Sequence, residues 1–178
     1  MSEKALFLDR DGVINHDPGY THKIDGFKFI DGIFDLCRYA KSLGYLIFIV
    51  TNQGGIAKGI FQEEDFNILS SWLKQRFEEE GAPIKKIYHC PHNFKDGTIA
   101  EFKIDCNCRK PKPGLILQAI SEFDIDPKQS ILIGDKESDI EAGIAANIRD
   151  LLLLSNASSQ SKATKIITNL QSAKEYMR

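Results

Sequence analysis

Five short apolar runs punctuate the chain: KALFLD at 4–9, YLIFIVTN at 45–52, KIYHCP at 86–91, SILIGD at 130–135 and DLLLL at 150–154. Most are continuous rather than alternating, as strands are when helices cover both faces of a parallel sheet. Helical periodicity fills the intervals at about 31–43, 63–80, 114–123 and 137–147, and Gly44 and Gly81 close the first two as left-handed caps. A weaker helix is expected over 168–176. Strand and helix alternate, so the pattern predicts an α/β domain on an open, mainly parallel sheet with helices on both faces and right-handed crossovers.

Ligands of such sheets bind at the carboxyl ends of the strands. Three of the runs end there in polar groups: the first in Asp9 and Asp11, the second in Thr51 and Asn52, the fourth in Gly134 and Asp135. The serine- and alanine-rich patch at 155–165 reads as a surface loop, and no internal repeat is present.

At 178 residues and 42% hydrophobic, the chain suffices for one core, so a single domain over 1–178 is expected. A net charge of -2 argues against a partner held by its phosphate backbone, so no nucleic acid is expected. No run is long enough to span a bilayer and the N-terminus lacks a signal-like stretch, which predicts a cytoplasmic protein with no membrane partner.

In FLDRDGVIN two carboxylates stand one residue apart, and Asp135 would bring a third to the same sheet edge. An aspartate ending a strand is often only a turn former. Three together repel one another unless a cation intervenes. Mg²⁺ suits the place, because it works with one or two carboxylates plus waters and a substrate phosphate. VTNQGG adds the Thr51 hydroxyl and the backbone N–H groups of Asn52, Gln53 and Gly54 at a glycine turn. CRKPKPG adds Arg109, Lys110 and Lys112 ahead of a helix, as a phosphate clamp or as a solvated basic turn.

Cys90, His92, Cys106 and Cys108 form a C-x-H pair, a 13-residue loop and a C-x-C pair. Three thiolates and an imidazole suit a closed, structural Zn²⁺ site, with the metal loop at 90–108. The spacing departs from the C-x₂-C finger, so scattered core cysteines are the alternative. His89 is expected on the opposite face of its strand. Cys37 reads as helix core, and His16 and His22 as loop residues.

FLDRDGVIN, VTNQGGIAKG, CRKPKPG and GDKESD resemble, in order and spacing, the four motifs of the haloacid dehalogenase superfamily of phosphatases. The resemblance implies a Rossmann-like domain without a large cap, acting on a small sugar phosphate; a compact chain with no separate cap leads to the expectation of a monomer. It implies Asp9 as nucleophile, Asp11 as general acid and base, and Thr51 and Lys110 on the transferring phosphoryl group. Mg²⁺ would sit on Asp9, Asp135 and the backbone oxygen of Asp11, with Asp139 behind the ligands. The zinc loop leading into CRKP is similar to two branches, which act on a heptose bisphosphate and on histidinol phosphate. The D-x-G-Y of Asp17, Gly19 and Tyr20 and the long zinc loop lean toward the heptose branch. Arg109 and Lys136 are the cations available for a second phosphate. The branch often has Ser at the position of Gly54 and Arg at that of Lys58. A zinc-containing binding module is the remote alternative.

Overall fold

The computed structural model describes residues 2–157 and 160–178. Its main sheet is built from β1 (Lys4–Leu8), β4 (Tyr45–Asn52), β5 (Lys86–Cys90), β6 (Ile131–Gly134), β7 (Asp150–Leu154) and β8 (Lys165–Ile167), in the order β5-β4-β1-β6-β7-β8. Every pairing in it is parallel. A two-stranded antiparallel ribbon, β2 (Asn15–His16) with β3 (Lys28–Phe29), follows the first strand. The helices are α1 (Ile33–Ser42), α2 (Glu63–Glu79), α3 (Gly114–Phe123) and α4 (Glu137–Ala145).

Side chains alternate along each strand, and here both faces are apolar. Leu6, Leu8, Ile47, Ile49, Ile131 and Ile133 pack with Leu36 of α1 and Leu73 and Phe77 of α2. Ala5, Phe7, Phe48, Val50 and Leu132 pack with Ile116 of α3 and Ile140 of α4. Each Leu or Phe fully withdrawn from water contributes about 1.5–3 kcal/mol, so two such layers stabilise a sheet of this size. Cys37 is buried in α1, and burial pushes its thiol well above the ordinary range.

The expected α/β architecture is present, with three differences. The segment expected as a weak last helix is a 3-10 helix, Leu170–Tyr176, seated on α1. β8 and the β2–β3 ribbon are additions. The patch at 155–165 runs without regular structure up to β8, and residues 158 and 159 lie outside the described residues. No helix among the described residues is long and apolar enough to cross a membrane.

Register places the site. Leu8 stands level with Ile49 on one side and Ile133 on the other, so Asp9, Thr51 and Asp135, just past these positions, lie within one residue of the same height. From β1 the chain runs one way to β4 and β5 and returns on the other side to β6. The gap between β1 and β6 is therefore a topological switch point, where open α/β sheets bind ligands.

Candidate active site and metal centre

Asp9 follows β1 at the floor of a cavity of about 490 Å³. It is buried, and its Oδ1 accepts from Lys110 Nζ at 2.9 Å. Lys110 is equally buried, and its ammonium also pairs with Asp139 Oδ1 at 2.6 Å and donates to the Val50 carbonyl at 2.7 Å. Burial pushes the Asp9 carboxyl up to about 8 against the pull of Lys110, with Asp139 and Asp135 adding to the rise. Burial would lower the Lys110 ammonium, but its two carboxylate partners outweigh it and hold the group charged.

Lys112, the other candidate, is exposed and paired to Asp105 at 2.6 Å. Asn52 explains how a residue from an irregular loop reaches Asp9. Its Oδ1 accepts from the Lys110 N–H and its Nδ2 donates to the Lys110 carbonyl, both at 3.0 Å. Expected as a substrate contact, Asn52 lines the cavity but spends its amide on fixing the Lys110 backbone to β4. Replacing Lys110 by Met strands two buried carboxylates. Lys110→Met is expected to destabilise the metal-free protein by about 3–5 kcal/mol. Urea unfolding checks this, and a loss below about 1 kcal/mol, the scale of an exposed pair, would contradict the buried pairing.

Asp9, Asp135 and Asp139 bring carboxylate oxygens within 4.8 Å of one another. Asp139 has no oxygen to spare: Oδ2 accepts the N–H groups of Asp135 and Lys136 at 3.2 and 3.1 Å while Oδ1 holds Lys110. Asp135 differs. Its Oδ1 is buried with no hydrogen-bond partner, and burial raises its carboxyl above the ordinary range. A cation between Asp135 and Asp9 would satisfy that atom, and hard oxygen donors suit Mg²⁺. Gly12, at φ +90°, lets Asp135 come this close, since a Cβ there would stand 2.2 Å from Asp135 Oδ2.

The Asp11 side chain is turned away from this carboxylate group. It accepts from Arg10, from Asn15 Nδ2 at 3.0 Å and from Gln53 Nε2 at 3.0 Å. Arg10 and Asn15 went unnoticed in the sequence, where an Arg between two Asp reads as a loop charge. Thr51 is wholly buried, and its hydroxyl accepts from Gln53 Nε2 at 2.9 Å, which leaves its O–H free to donate to a phosphoryl oxygen.

The cavity walls carry Asp17, Gly19, Tyr20, Gln53, Gly54, Arg109 and Lys136, all expected, and Lys58, at the position where the branch often has Arg, together with Asn93, Asp96 and Ser138, which were not expected. Asp17 Oδ1 folds the Gly19–Thr21 turn by accepting from the Gly19 N–H and the Thr21 hydroxyl. Lys58 lies 5.4 Å from the centre of the Tyr20 ring. A Cβ at Gly54 would stand 3.0 Å from Arg109 Nη1, so the glycine leaves room for that guanidinium. His22 stacks on Phe61 and His16 is exposed; neither lines this cavity.

The cysteine cluster forms as expected. Cys90, His92, Cys106 and Cys108 bring their ligand atoms within 4.8 Å of one another. Sulfur separations run from 2.8 Å for Cys90–Cys108 to 3.5 Å for Cys90–Cys106, and His92 turns Nδ1 to Cys108 at 3.4 Å. The Cys108 thiol is lowered to about 5, chiefly by its hydrogen bond with Cys90, whose own thiol is pushed up. A converging donor set of three sulfurs and one nitrogen is of the kind that holds tetrahedral zinc. His89 faces Glu63 at 3.1 Å and stacks on Phe66, outside the cluster. Arg109 Nη1 donates to the His92 carbonyl at 3.0 Å, which ties the cluster to the cavity wall.

A parallel sheet with a buried Asp at the end of its first strand, a lysine against it and carboxylates from the β6–α4 turn defines a phosphohydrolase of the haloacid dehalogenase type. A family model described as HAD-hydrolase-like matches residues 107–174. The D-glycero-alpha-D-manno-heptose-1,7-bisphosphate 7-phosphatase of Burkholderia mallei is 50% identical over 164 residues, 92% of this chain and 86% of that protein. The D-glycero-beta-D-manno-heptose-1,7-bisphosphate 7-phosphatase of Haemophilus influenzae is 51% identical over 146 residues, 82% of this chain and 78% of that one. The chain belongs to the family of the D-glycero-D-manno-heptose-1,7-bisphosphate 7-phosphatases. Among solved structures, a HAD-like phosphatase from Mesorhizobium loti superposes with a TM-score of 0.88 at 26% identity, covering 98% of this chain and 86% of that one. The D,D-heptose 1,7-bisphosphate phosphatase from B. bronchiseptica, complexed with magnesium and phosphate, shares the fold, with a TM-score of 0.80 at 24% identity over 97% of this chain and 96% of that one.

Proposed function

We propose that the chain removes the 7-phosphate of a D-glycero-D-manno-heptose 1,7-bisphosphate through an aspartyl phosphate on Asp9. The observation that carries this reading is the buried Asp9–Lys110–Asp139 chain beside the unpartnered Asp135 oxygen, at the floor of a cavity walled by Lys58, Arg109 and Lys136. Asp9 attacks phosphorus while Lys110 and Thr51 hold the phosphoryl oxygens. Asp11 gives a proton to the leaving sugar oxygen and then takes one from the water that opens the intermediate. Asp9, Asp135 and the backbone oxygen of Asp11 would hold Mg²⁺, which when bound offsets the phosphate charge. Arg109 and Lys136 take the second phosphate, and Asp17, Gly19 and Tyr20 border the sugar. Zinc is structural. The single domain acts as a cytoplasmic monomer, in the synthesis of nucleotide-activated heptose for lipopolysaccharide core or related surface glycans.

Histidinol phosphate brings an amine instead of a second phosphate, and three cations on the cavity wall disfavour it. Family membership speaks for the heptose branch too, and a binding module has no use for a buried Asp–Lys–Asp chain. Both α and β enzymes are among the relatives at about half identity, so the assay takes both anomers. With Mg²⁺ present, kcat/KM for the better anomer is expected to exceed that for histidinol phosphate by about 100-fold or more, as when a site built for a charged group meets a ligand lacking it. Equal or faster turnover of histidinol phosphate would refute the assignment.

A further inference from the structure

The largest fully buried side chain among the described residues is a charged one, Arg10, at 1% exposure. A charge at that depth is tolerated only when paired and fully hydrogen-bonded. Arg10 donates from Nε and Nη2 to Asp11 Oδ1 at 3.1 and 3.0 Å, and from Nη2 to Asp11 Oδ2 at 2.9 Å. The same Nη2 reaches the Thr21 carbonyl at 2.6 Å and Gln53 Oε1 at 3.4 Å. The backbone is wound around this residue as well, since the Arg10 carbonyl accepts from the N–H groups of Val13, Ile14 and Asn15.

The guanidinium fork therefore grips both oxygens of Asp11. Oδ1 takes Arg10 Nε, Arg10 Nη2 and Asn15 Nδ2. Oδ2 takes Arg10 Nη2 and Gln53 Nε2. Gln53 lines the cavity and shares its amide between Asp11 and Thr51, so an incoming oxygen can displace it. Arg10, buried and held by three neighbours, stays in place.

We propose that Arg10 is a positioning residue. It clamps Asp11 through both carboxylate oxygens and so fixes the group that carries the proton to the leaving oxygen, and its bond to the Thr21 carbonyl ties this aim to the Asp17–Thr21 loop beside the sugar. This rests on the reading of Asp11 as the acid and base. A displacement of about 1 Å at such a group costs on the order of 100-fold in rate, which is the scale at stake.

The test compares kcat/KM for the heptose bisphosphate, whose alkoxide needs a proton to leave, with that for p-nitrophenyl phosphate, whose phenolate does not. Arg10→Lys keeps the buried charge and loses the planar fork. The sugar-to-aryl ratio of kcat/KM is expected to fall by about 10-fold or more. Asn15→Ala removes a donor to Oδ1 together with a buried acceptor, Asn15 Oδ1, that has no partner, and should lower the ratio in the same direction by a smaller factor. In an Asp11→Asn background, Arg10→Lys should leave the ratio within about 2-fold, because the two residues act as one unit. An equal fall for both substrates, or a change of ratio that persists in full without Asp11, would reduce Arg10 to a structural role and overturn the inference. Should Asp11→Asn itself leave the ratio intact, the acid assignment falls first. Should Asp11→Asn lower it while Arg10→Lys does not, only the inference falls.

Discussion

Asp9→Asn is expected to abolish turnover, with kcat down by at least about 10⁴-fold, the scale seen when a nucleophile is removed and the rest of a site is left intact. The fold should survive, because Lys110 keeps Asp139 and the Val50 carbonyl as partners. The sign of the stability change follows from the raised Asp9 carboxyl, at about 8. A group whose acidity is weakened by folding favours the folded state at low pH and loses that contribution as pH rises through the folded value. Metal-free wild type should therefore weaken between about pH 4 and pH 8, and Asp9→Asn should be flatter over the same range. Mg²⁺ reverses the comparison. At 100 times its Kd a ligand adds about 2.7 kcal/mol to the form that binds it, so wild type gains in melting temperature where the variant gains less. Above 1% of wild-type kcat in a variant with an unchanged circular dichroism spectrum, the nucleophile would have to be sought elsewhere.

The same residue marks how far the sequence could be read. Asp9, Thr51 and Asp135 were legible because each stands at the end of a plain apolar run, and register then brings all three within one residue of the same height. The four helices were legible from their periodicity and from glycine at the first two ends. What was not legible is whatever depends on a single long-range partner. β8 is three residues with one buried side chain, too short to stand out from the loop before it. Arg10 carries a surface residue's chemistry, and its burial comes from Asp11, Thr21 and Gln53 converging on it. Asn52 looks like a ligand contact at a strand end, and only the fold reveals that the Lys110 backbone uses its amide. Asp139 was expected behind the metal ligands; its direct pairing with Lys110 needed three elements placed together.

Loss of zinc should strike binding harder than chemistry, and the reason lies in how the loop at 93–105 is held. Most of its apolar side chains bring little to the core: Phe94, Ile99 and Ile104 are 60%, 40% and 45% exposed, and Phe102 alone packs on the small Ile56–Phe61–Phe66 cluster. Only a short 3-10 turn, Ala100–Phe102, gives it regular backbone. Beyond the Thr98 and Ile99 N–H bonds to the Ala57 carbonyl, the cluster is what pins its two ends, and structural zinc sites bring about 10–16 kcal/mol of apparent binding free energy in small domains. Without the ion, only weak S–H···S hydrogen bonds join the three sulfurs. Metal stripping by a strong chelator, or Cys106→Ser, is expected to cost about 3 kcal/mol or more, and at about 2–4 °C per kcal/mol for a chain of this length the melting temperature should fall by roughly 6–12 °C. The two cations that follow the cluster should then part company. Arg109 hangs on the His92 carbonyl and loses its place with the loop, whereas Lys110 is bound to β4 through both backbone groups by Asn52. KM for the bisphosphate should rise by about 10-fold, the scale of one lost charged hydrogen bond, while kcat changes by less than about 3-fold. If metal analysis confirms that zinc is gone and both melting temperature and KM hold, the cluster does not organise this wall of the cavity.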